Sequence, residues 1–71
     1  MLKWNRSINY LYAEPELGAK YVIYDDAPFE TLVFILGRAA AEEIARDTDR
    51  DRLQMLAEID YERRSAHGRV V

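Results

Sequence analysis

Residues 25–37, with the sequence DDAPFETLVFILG, decide the fold because they determine which element comes after the N-terminal third of the chain. The carboxylate of Asp25 or Asp26 suits the free N–H groups of a helix start, Pro28 is tolerated in a first turn, and Glu30 complements the positive end of a helix dipole. Apolar residues then recur at helical spacing, at Phe29, Leu32, Val33, Leu36, Ala40 and Ile44. The pattern predicts a first helix over residues 28–46.

This predicted helix has two unlike halves. Residues 32–36 are apolar on all sides, whereas residues 39–46 are amphipathic. A helix that is apolar all round must be covered all round. Gly37 inside it costs about 1 kcal/mol relative to alanine, so we expect another backbone to approach closely there, or a kink.

The residues before this stretch favour β structure. Residues 7–12 and 19–24 are rich in Tyr, Ile and Val, which suit a pleated, half-buried surface. Residues 14–18, EPELG, lie between them and break both patterns. We expect a β-hairpin with a loop of about five residues. A short helical turn at residues 15–17 is the alternative.

The residues after residue 46 predict a second helix. Residues 47–52, DTDRDR, interrupt the apolar pattern, and Thr48 followed by Asp51 resembles a capping box. The helix then covers residues 50–64, and residues 65–71 form a frayed tail. The fold class is therefore a small α+β domain over residues 1–64, in which an N-terminal two-stranded antiparallel hairpin precedes a helical hairpin (β-β-α-α).

Length and composition exclude several kinds of protein. The chain has 71 residues, no Cys, one His and a net charge of −3. Disulfides, thiolate zinc sites and multi-histidine metal sites are excluded, and we expect no cofactor. No apolar run approaches the roughly 20 residues that span a bilayer, and no signal peptide is visible. We expect a cytoplasmic protein that binds no membrane.

Aromatic residues mark the expected contact surface. Two helices cover only one face of a hairpin, and an uncovered apolar face or an open strand edge usually marks an interface. Tyr and Trp are common interface anchors. The candidates are Trp4, Tyr10, Tyr12, Tyr21 and Tyr24. The alternatives are that half of the tyrosines lie in the core, and that Trp4 and the tail cover the face.

Charge is concentrated in the middle of the chain. Residues 25–48 carry six acidic and two basic side chains. Asp25, Asp26 and Glu30 are candidates for steering the protein towards a basic surface, such as one that binds nucleic acid. The alternative is that these three carboxylates only begin the first helix.

No motif for catalysis is present. His67 lies in the tail without a neighbouring nucleophile, Ser7 and Ser65 lack a nucleophile-elbow context, and the three glycines are isolated. We therefore expect a protein that is not an enzyme.

The sequence favours a small protein-binding module. It suits an inhibitor encoded by a phage or mobile element, acting in the host cytoplasm by steric or electrostatic blocking of a defence or nucleic-acid-handling protein. The alternative is a dimeric, DNA-associated transcriptional regulator that uses Arg46, Arg50 and Arg52. Direct binding of nucleic acid is disfavoured because acidic residues surround these arginines. A homo-oligomeric structural protein is a third possibility.

Overall fold

The computed structural model describes residues 2–38 and 41–66, and these residues form one antiparallel sheet followed by one helix. The strands and the helix are β1 (Asn5–Arg6), β2 (Tyr10–Glu16), β3 (Ala19–Asp26), β4 (Phe29–Leu36), β5 (Glu42–Asp47) and α1 (Arg50–Ala66). The five strands lie in the order β1-β2-β3-β4-β5, so each pairs with its neighbour in the chain. The α+β content was predicted, but the β-β-α-α arrangement is wrong.

The predicted first helix over residues 28–46 is the source of this error, since β4 and β5 occupy that region. Residues 29–36 are rich in β-branched and aromatic side chains, which favour strands. A short run that is apolar on all sides also fits a central strand with apolar residues on both faces. Pro28 lies in the turn before β4, and Gly37 lies in the turn after it with a φ of +59°. Neither residue belongs to a helix.

The predicted hairpin is present with different bounds. β2 pairs with β3 from Tyr10 opposite Tyr24 to Glu16 opposite Ala19. The connection is a turn at residues 17–18 rather than a five-residue loop, and Gly18 supplies a φ of +86° that favours glycine. Pro15 lies inside β2, where the register shifts between Ala13 and Glu16. Bulges and strand edges tolerate the missing N–H of proline, so this breaker does not end the strand.

The predicted second helix is confirmed, with its end at Ala66 rather than residue 64. The cap differs from the expected Thr48. Asp49 Oδ1 accepts the amides of Asp51 at 3.0 Å and Arg52 at 3.4 Å, which satisfies two free donors of the first turn. Residues 67–71, with most of the predicted tail and His67, lie outside the described residues, as do residues 39–40.

The core lies between α1 and one face of the sheet, which we call the helix face. Its buried residues are Leu2, Ala13, Ala19, Tyr21, Ile23, Leu32, Phe34, Leu53 and Ala57. Few of these come from the helix, so α1 buries only a narrow apolar stripe. Polar contacts add to its attachment, and at the N-terminus the Leu2 amide donates to Glu58 Oε2 at 2.8 Å.

The C-terminal half of α1 is attached to the helix face by a polar cluster around Asp60. Its carboxylate accepts hydrogen bonds from the Tyr21 hydroxyl and from Arg64 Nε, each at 2.5 Å. Arg64 also donates to Glu42 Oε1 at 3.2 Å, and its guanidinium lies 4.0 Å from the centre of the Phe34 ring. The cluster therefore ties the helix to three strands at once.

This environment changes two pKa values. Burial, and then the hydrogen bond to Asp60, raise the pKa of Tyr21 above its ordinary value. Burial lowers the pKa of Arg64, but its hydrogen bonds to Asp60 and Glu42 outweigh that effect and raise it. Tyr21 therefore stays protonated and Arg64 stays charged throughout the physiological range.

Candidate interaction surface

The second face of the sheet carries no helix in the described part of the chain, and we call it the open face. Cross-strand partners in antiparallel strands project to the same side. The pairs Tyr10 with Tyr24, Tyr12 with Val22, and Val22 with Val33 therefore share this face. Further cross-strand partners and strand alternation add the remaining members, so that the face comprises Asn5, Tyr10, Tyr12, Lys20, Val22, Tyr24, Asp26, Phe29, Thr31, Val33, Ile35, Glu43 and Arg46.

Three of the predicted anchor tyrosines are brought together on the open face. Tyr10 is 39% exposed and Tyr24 is 38% exposed. The rings of Tyr10 and Tyr12 lie 5.9 Å apart in a tilted arrangement, and Lys20 Nζ lies 5.6 Å from the centre of the Tyr12 ring. The result is a pre-arranged aromatic surface with hydroxyls available for hydrogen bonds.

The other two predicted aromatic anchors lie elsewhere. Tyr21 is 0% exposed and belongs to the core on the helix face. Trp4 is half-buried against the same core. Its Nε1 is buried and finds no hydrogen-bond acceptor among the described residues. Alternation along β3 separates Tyr21 from Tyr24, as a strand requires.

The predicted acidic cluster is divided between the two faces. Asp25 and Glu30 are direct cross-strand partners on the helix face. Asp26 lies on the open face, where it accepts a hydrogen bond from Thr31 at 3.3 Å and pairs with Arg46 at 3.5 Å. None of the three carboxylates begins a helix, so that alternative is wrong.

Glu30 is the most strongly paired of these acids. Arg50 donates to both of its carboxylate oxygens, at 3.0 Å and 2.6 Å. This bidentate hydrogen bonding holds the pKa of Glu30 below its usual value and raises the pKa of Arg50. Internal pairing therefore neutralises much of the charge that was expected to steer a basic partner.

Sequence reasoning missed part of the open face because it placed residues 29–36 in a helix. Phe29 is 41% exposed beside the tyrosines, whereas Val33 is 9% exposed and Thr31 is fully buried. The exposed part of this face therefore lies at its aromatic residues and not at Thr31 and Val33. Period-two alternation within residues 29–36 was the signal that could have identified this set.

The arginines of the alternative DNA-binding hypothesis are each paired with carboxylates. Arg46 lies 3.5 Å from both Asp26 and Glu43. Arg52 lies 3.5 Å from Asp47, and Arg50 is bound to Glu30. These pairings leave less free positive charge for phosphate contacts.

Comparisons with protein-family models, curated protein sequences and solved structures give no significant match. Among residues 2–38 and 41–66, no helix has the length and apolarity needed to cross a membrane. The same residues contain no group of three or more His, Cys, Asp or Glu side chains placed to hold a metal ion. A functional assignment therefore rests on surface geometry.

Proposed function

We propose that the protein is a non-enzymatic protein-binding module whose contact surface is the open face. The observation that carries the proposal is the exposure of Tyr10, Tyr24 and Phe29 beside apolar β-branched residues, on a sheet face without a helix layer in the described part of the chain. Exposed aromatic side chains that share one face are typical of interaction sites. Such a module would inhibit its partner by covering part of the partner's surface.

The exposed aromatic side chains of the open face support a protein partner. Tyr24 and Phe29 are more exposed than the neighbouring Thr31 and Val33. Tyrosine and phenylalanine supply large contact area at a small conformational entropy cost.

The test is affinity capture from a lysate of the native host with four matched baits, quantified by mass spectrometry. The baits are the unaltered chain and the variants Tyr12→Ala, Tyr24→Ala and Leu17→Ala. Leu17 is a suitable control because it is exposed and apolar but lies in the β2–β3 turn, outside the open face. The captured partner is then purified and its affinity is measured for all four proteins.

We expect Tyr12→Ala and Tyr24→Ala each to weaken binding by about tenfold or more, as for interface anchors. Leu17→Ala should bind like the unaltered chain. Equal affinity for all four proteins would contradict the proposal.

The DNA-associated regulator is distinguished by salt dependence. Such a protein binds duplex DNA with an affinity that falls steeply as salt rises, because phosphate contacts release counterions. The pairing of Arg46, Arg50 and Arg52 with carboxylates favours the protein-binding proposal over this one.

A further inference from the structure

The open face has a residue arrangement that is complementary to itself. Cross-strand pairing places its residues on levels that run across the strands. One level crosses β2 to β5 at Tyr12, Val22, Val33 and Glu43. The next level crosses the same strands at Tyr10, Tyr24, Thr31 and Arg46. If a second sheet stacks on this face, a two-fold axis that runs between the two levels exchanges one level for the other.

Charged residues of the open face lie opposite residues of the other sign under this symmetry. Each strand stacks on the same strand of the second copy in the opposite direction, so a residue faces the one that lies equally far beyond the axis. On β5, Glu43 faces Arg46 of the second copy. On β3, Lys20 and Asp26 are each three residues from Ile23, which marks the level of the axis, so they face one another. Complementary charge of this kind fixes the register of an interface.

The uncharged residues match under the same symmetry. On β4, Phe29 and Ile35 are each three residues from Leu32 at the level of the axis, so an aromatic ring faces an aliphatic side chain. On β2, Tyr10 faces Tyr12 of the second copy. These contacts cover the exposed parts of the aromatic side chains, including Phe29, which is 41% exposed.

The other two-fold stacking of the same face lacks this match. An axis along the strands, between β3 and β4, places Lys20 on Ile35 of the second copy and Asp26 on Phe29. It therefore buries charged groups against apolar side chains, which is costly. The cross-strand register thus favours the axis that runs across the strands.

Lys20 has no ion-pair partner in the described part of its own chain. Its Nζ lies 5.6 Å from the centre of the Tyr12 ring, and no described carboxylate lies within 4.0 Å of it. Arg46 lies 3.5 Å from both Asp26 and Glu43, so this group of two carboxylates and one guanidinium keeps a net negative charge. Lys20 of the second copy offsets that charge. Twisted sheets stack about 10 Å apart at an angle of about 30°, and the long lysine side chain spans the resulting offset.

We propose that the open face binds a second copy of the chain through this two-fold axis, which forms a dimer with both sheets inside and both α1 helices outside. Thr31 and Val33 are already buried in the single chain, so the contact area is limited and the dimer dissociates on dilution. An external partner of the open face then competes with the second copy. This competition rests on the proposed function, whereas the dimer does not.

The test is sedimentation velocity of the unaltered chain and three charge variants between about 1 µM and about 1 mM, a range that covers weak association. We expect the mass of the unaltered chain to rise from one copy to two as concentration increases. Lys20→Glu and Asp26→Lys should each weaken the dimer by about tenfold or more, because each places like charges opposite one another. Glu62→Lys is the control, since Glu62 is exposed on α1, outside the open face. It should dimerise like the unaltered chain.

An equimolar mixture of Lys20→Glu and Asp26→Lys tests the register itself. In the mixed dimer, the introduced glutamate of one copy faces the introduced lysine of the other, and the native Asp26 faces the native Lys20. The repulsion within each separate variant is therefore absent, so the mixture should dimerise like the unaltered chain. Circular dichroism first checks that each variant is folded. If Asp26→Lys is unfolded, Asp26→Asn replaces it, and its mixture with Lys20→Glu should still dimerise more tightly than Lys20→Glu alone.

A mass of one copy at every concentration would overturn the proposal, as would a mixture that dimerises no better than its separate variants. Equal weakening by Glu62→Lys would also overturn it. These results are distinct from those of the capture experiment. A chain that stays a single copy but loses its captured partner in Tyr24→Ala contradicts the dimer and leaves the proposed function intact. A dimer that captures no partner contradicts the proposed function alone.

Discussion

The hydroxyl of Tyr21 in β3 donates a 2.5 Å hydrogen bond to Asp60 Oδ2 in α1, joining two residues that are 39 positions apart in the chain. Tyr21 also packs against Phe34, with ring centres 4.9 Å apart. One side chain thus fills the core and anchors the helix to the sheet.

Replacement of this hydroxyl should destabilise the protein. We expect Tyr21→Phe to lower the free energy of unfolding by about 1–3 kcal/mol, because Asp60 loses a buried partner while the ring is retained. Tyr61→Phe is the matched control, since Tyr61 is half-buried and its hydroxyl has no hydrogen bond among the described residues. Urea unfolding at neutral pH measures the free energy of unfolding of both variants. Equal losses of stability would show that the hydrogen bond to Asp60 stabilises the protein no more than the Tyr61 hydroxyl does.

The same tyrosine should make stability depend on alkaline pH. Burial and the Asp60 hydrogen bond hold the pKa of Tyr21 above its ordinary 10.0. Above about pH 10 the unfolded chain loses this proton while the folded protein keeps it, so stability falls as pH rises. In Tyr21→Phe this contribution is absent, and its stability should decline less between about pH 9 and 11. Parallel curves for the two proteins would contradict the assignment.

Glu30 should make stability depend on pH in the acid range, where stability falls as pH falls. Arg50 holds its pKa below the ordinary 4.5, so the folded protein binds the proton less readily than the unfolded chain. The stabilisation is complete above the unfolded pKa and is lost as pH falls through the folded pKa. Glu30→Gln should therefore lower stability at neutral pH and reduce its decline between about pH 5 and 3. Chemical unfolding across this range measures both effects, with Glu14→Gln, on an exposed residue, as the control.

Trp4 offers a test of an unsatisfied donor. Trp4→Phe removes apolar area from the core, but it also removes an N–H group that is buried without an acceptor among residues 2–38 and 41–66. An unpaired buried donor costs about 1–3 kcal/mol, so we expect the two effects to offset and stability to change by less than about 1 kcal/mol. Thermal unfolding measures the change. A loss well above that value would mean that the indole nitrogen has a partner.

The sequence was sufficient to predict the elements whose residue pattern fits only one secondary structure. α1 has acidic residues at its start, polar neighbours, and Leu53 and Ala57 at helical spacing, and the strand character of residues 19–24 follows from their β-rich composition. The sequence was insufficient to predict the structure of residues 29–36, where Leu32, Val33 and Leu36 fit a helical stripe as well as a strand. Local preference does not distinguish these states where every position is apolar, as in residues 32–36, because the choice depends on pairing with β3 and β5.

The candidate surface was predictable only in part, because alternation within a strand is visible in the sequence whereas the cross-strand register is not. Alternation within β2 places Tyr10 and Tyr12 together without knowledge of the fold. That Tyr24 joins them, and that Tyr21 lies beneath α1, depends on the cross-strand register and on which face the helix covers. Phe29 could not be included while residues 28–46 were treated as a helix. The Arg50–Glu30 contact spans 20 positions and leaves no local trace in the sequence.

The meander order has a consequence for the synthesis of the chain. Each strand pairs with the one made just before it, so pairing needs only short loop closures and can proceed quickly. The cover for Tyr21, Ile23 and Phe34 is α1, which leaves the ribosome after every strand. Until then both faces of the nascent sheet present apolar side chains to solvent, a period in which a chaperone or premature aggregation competes with folding.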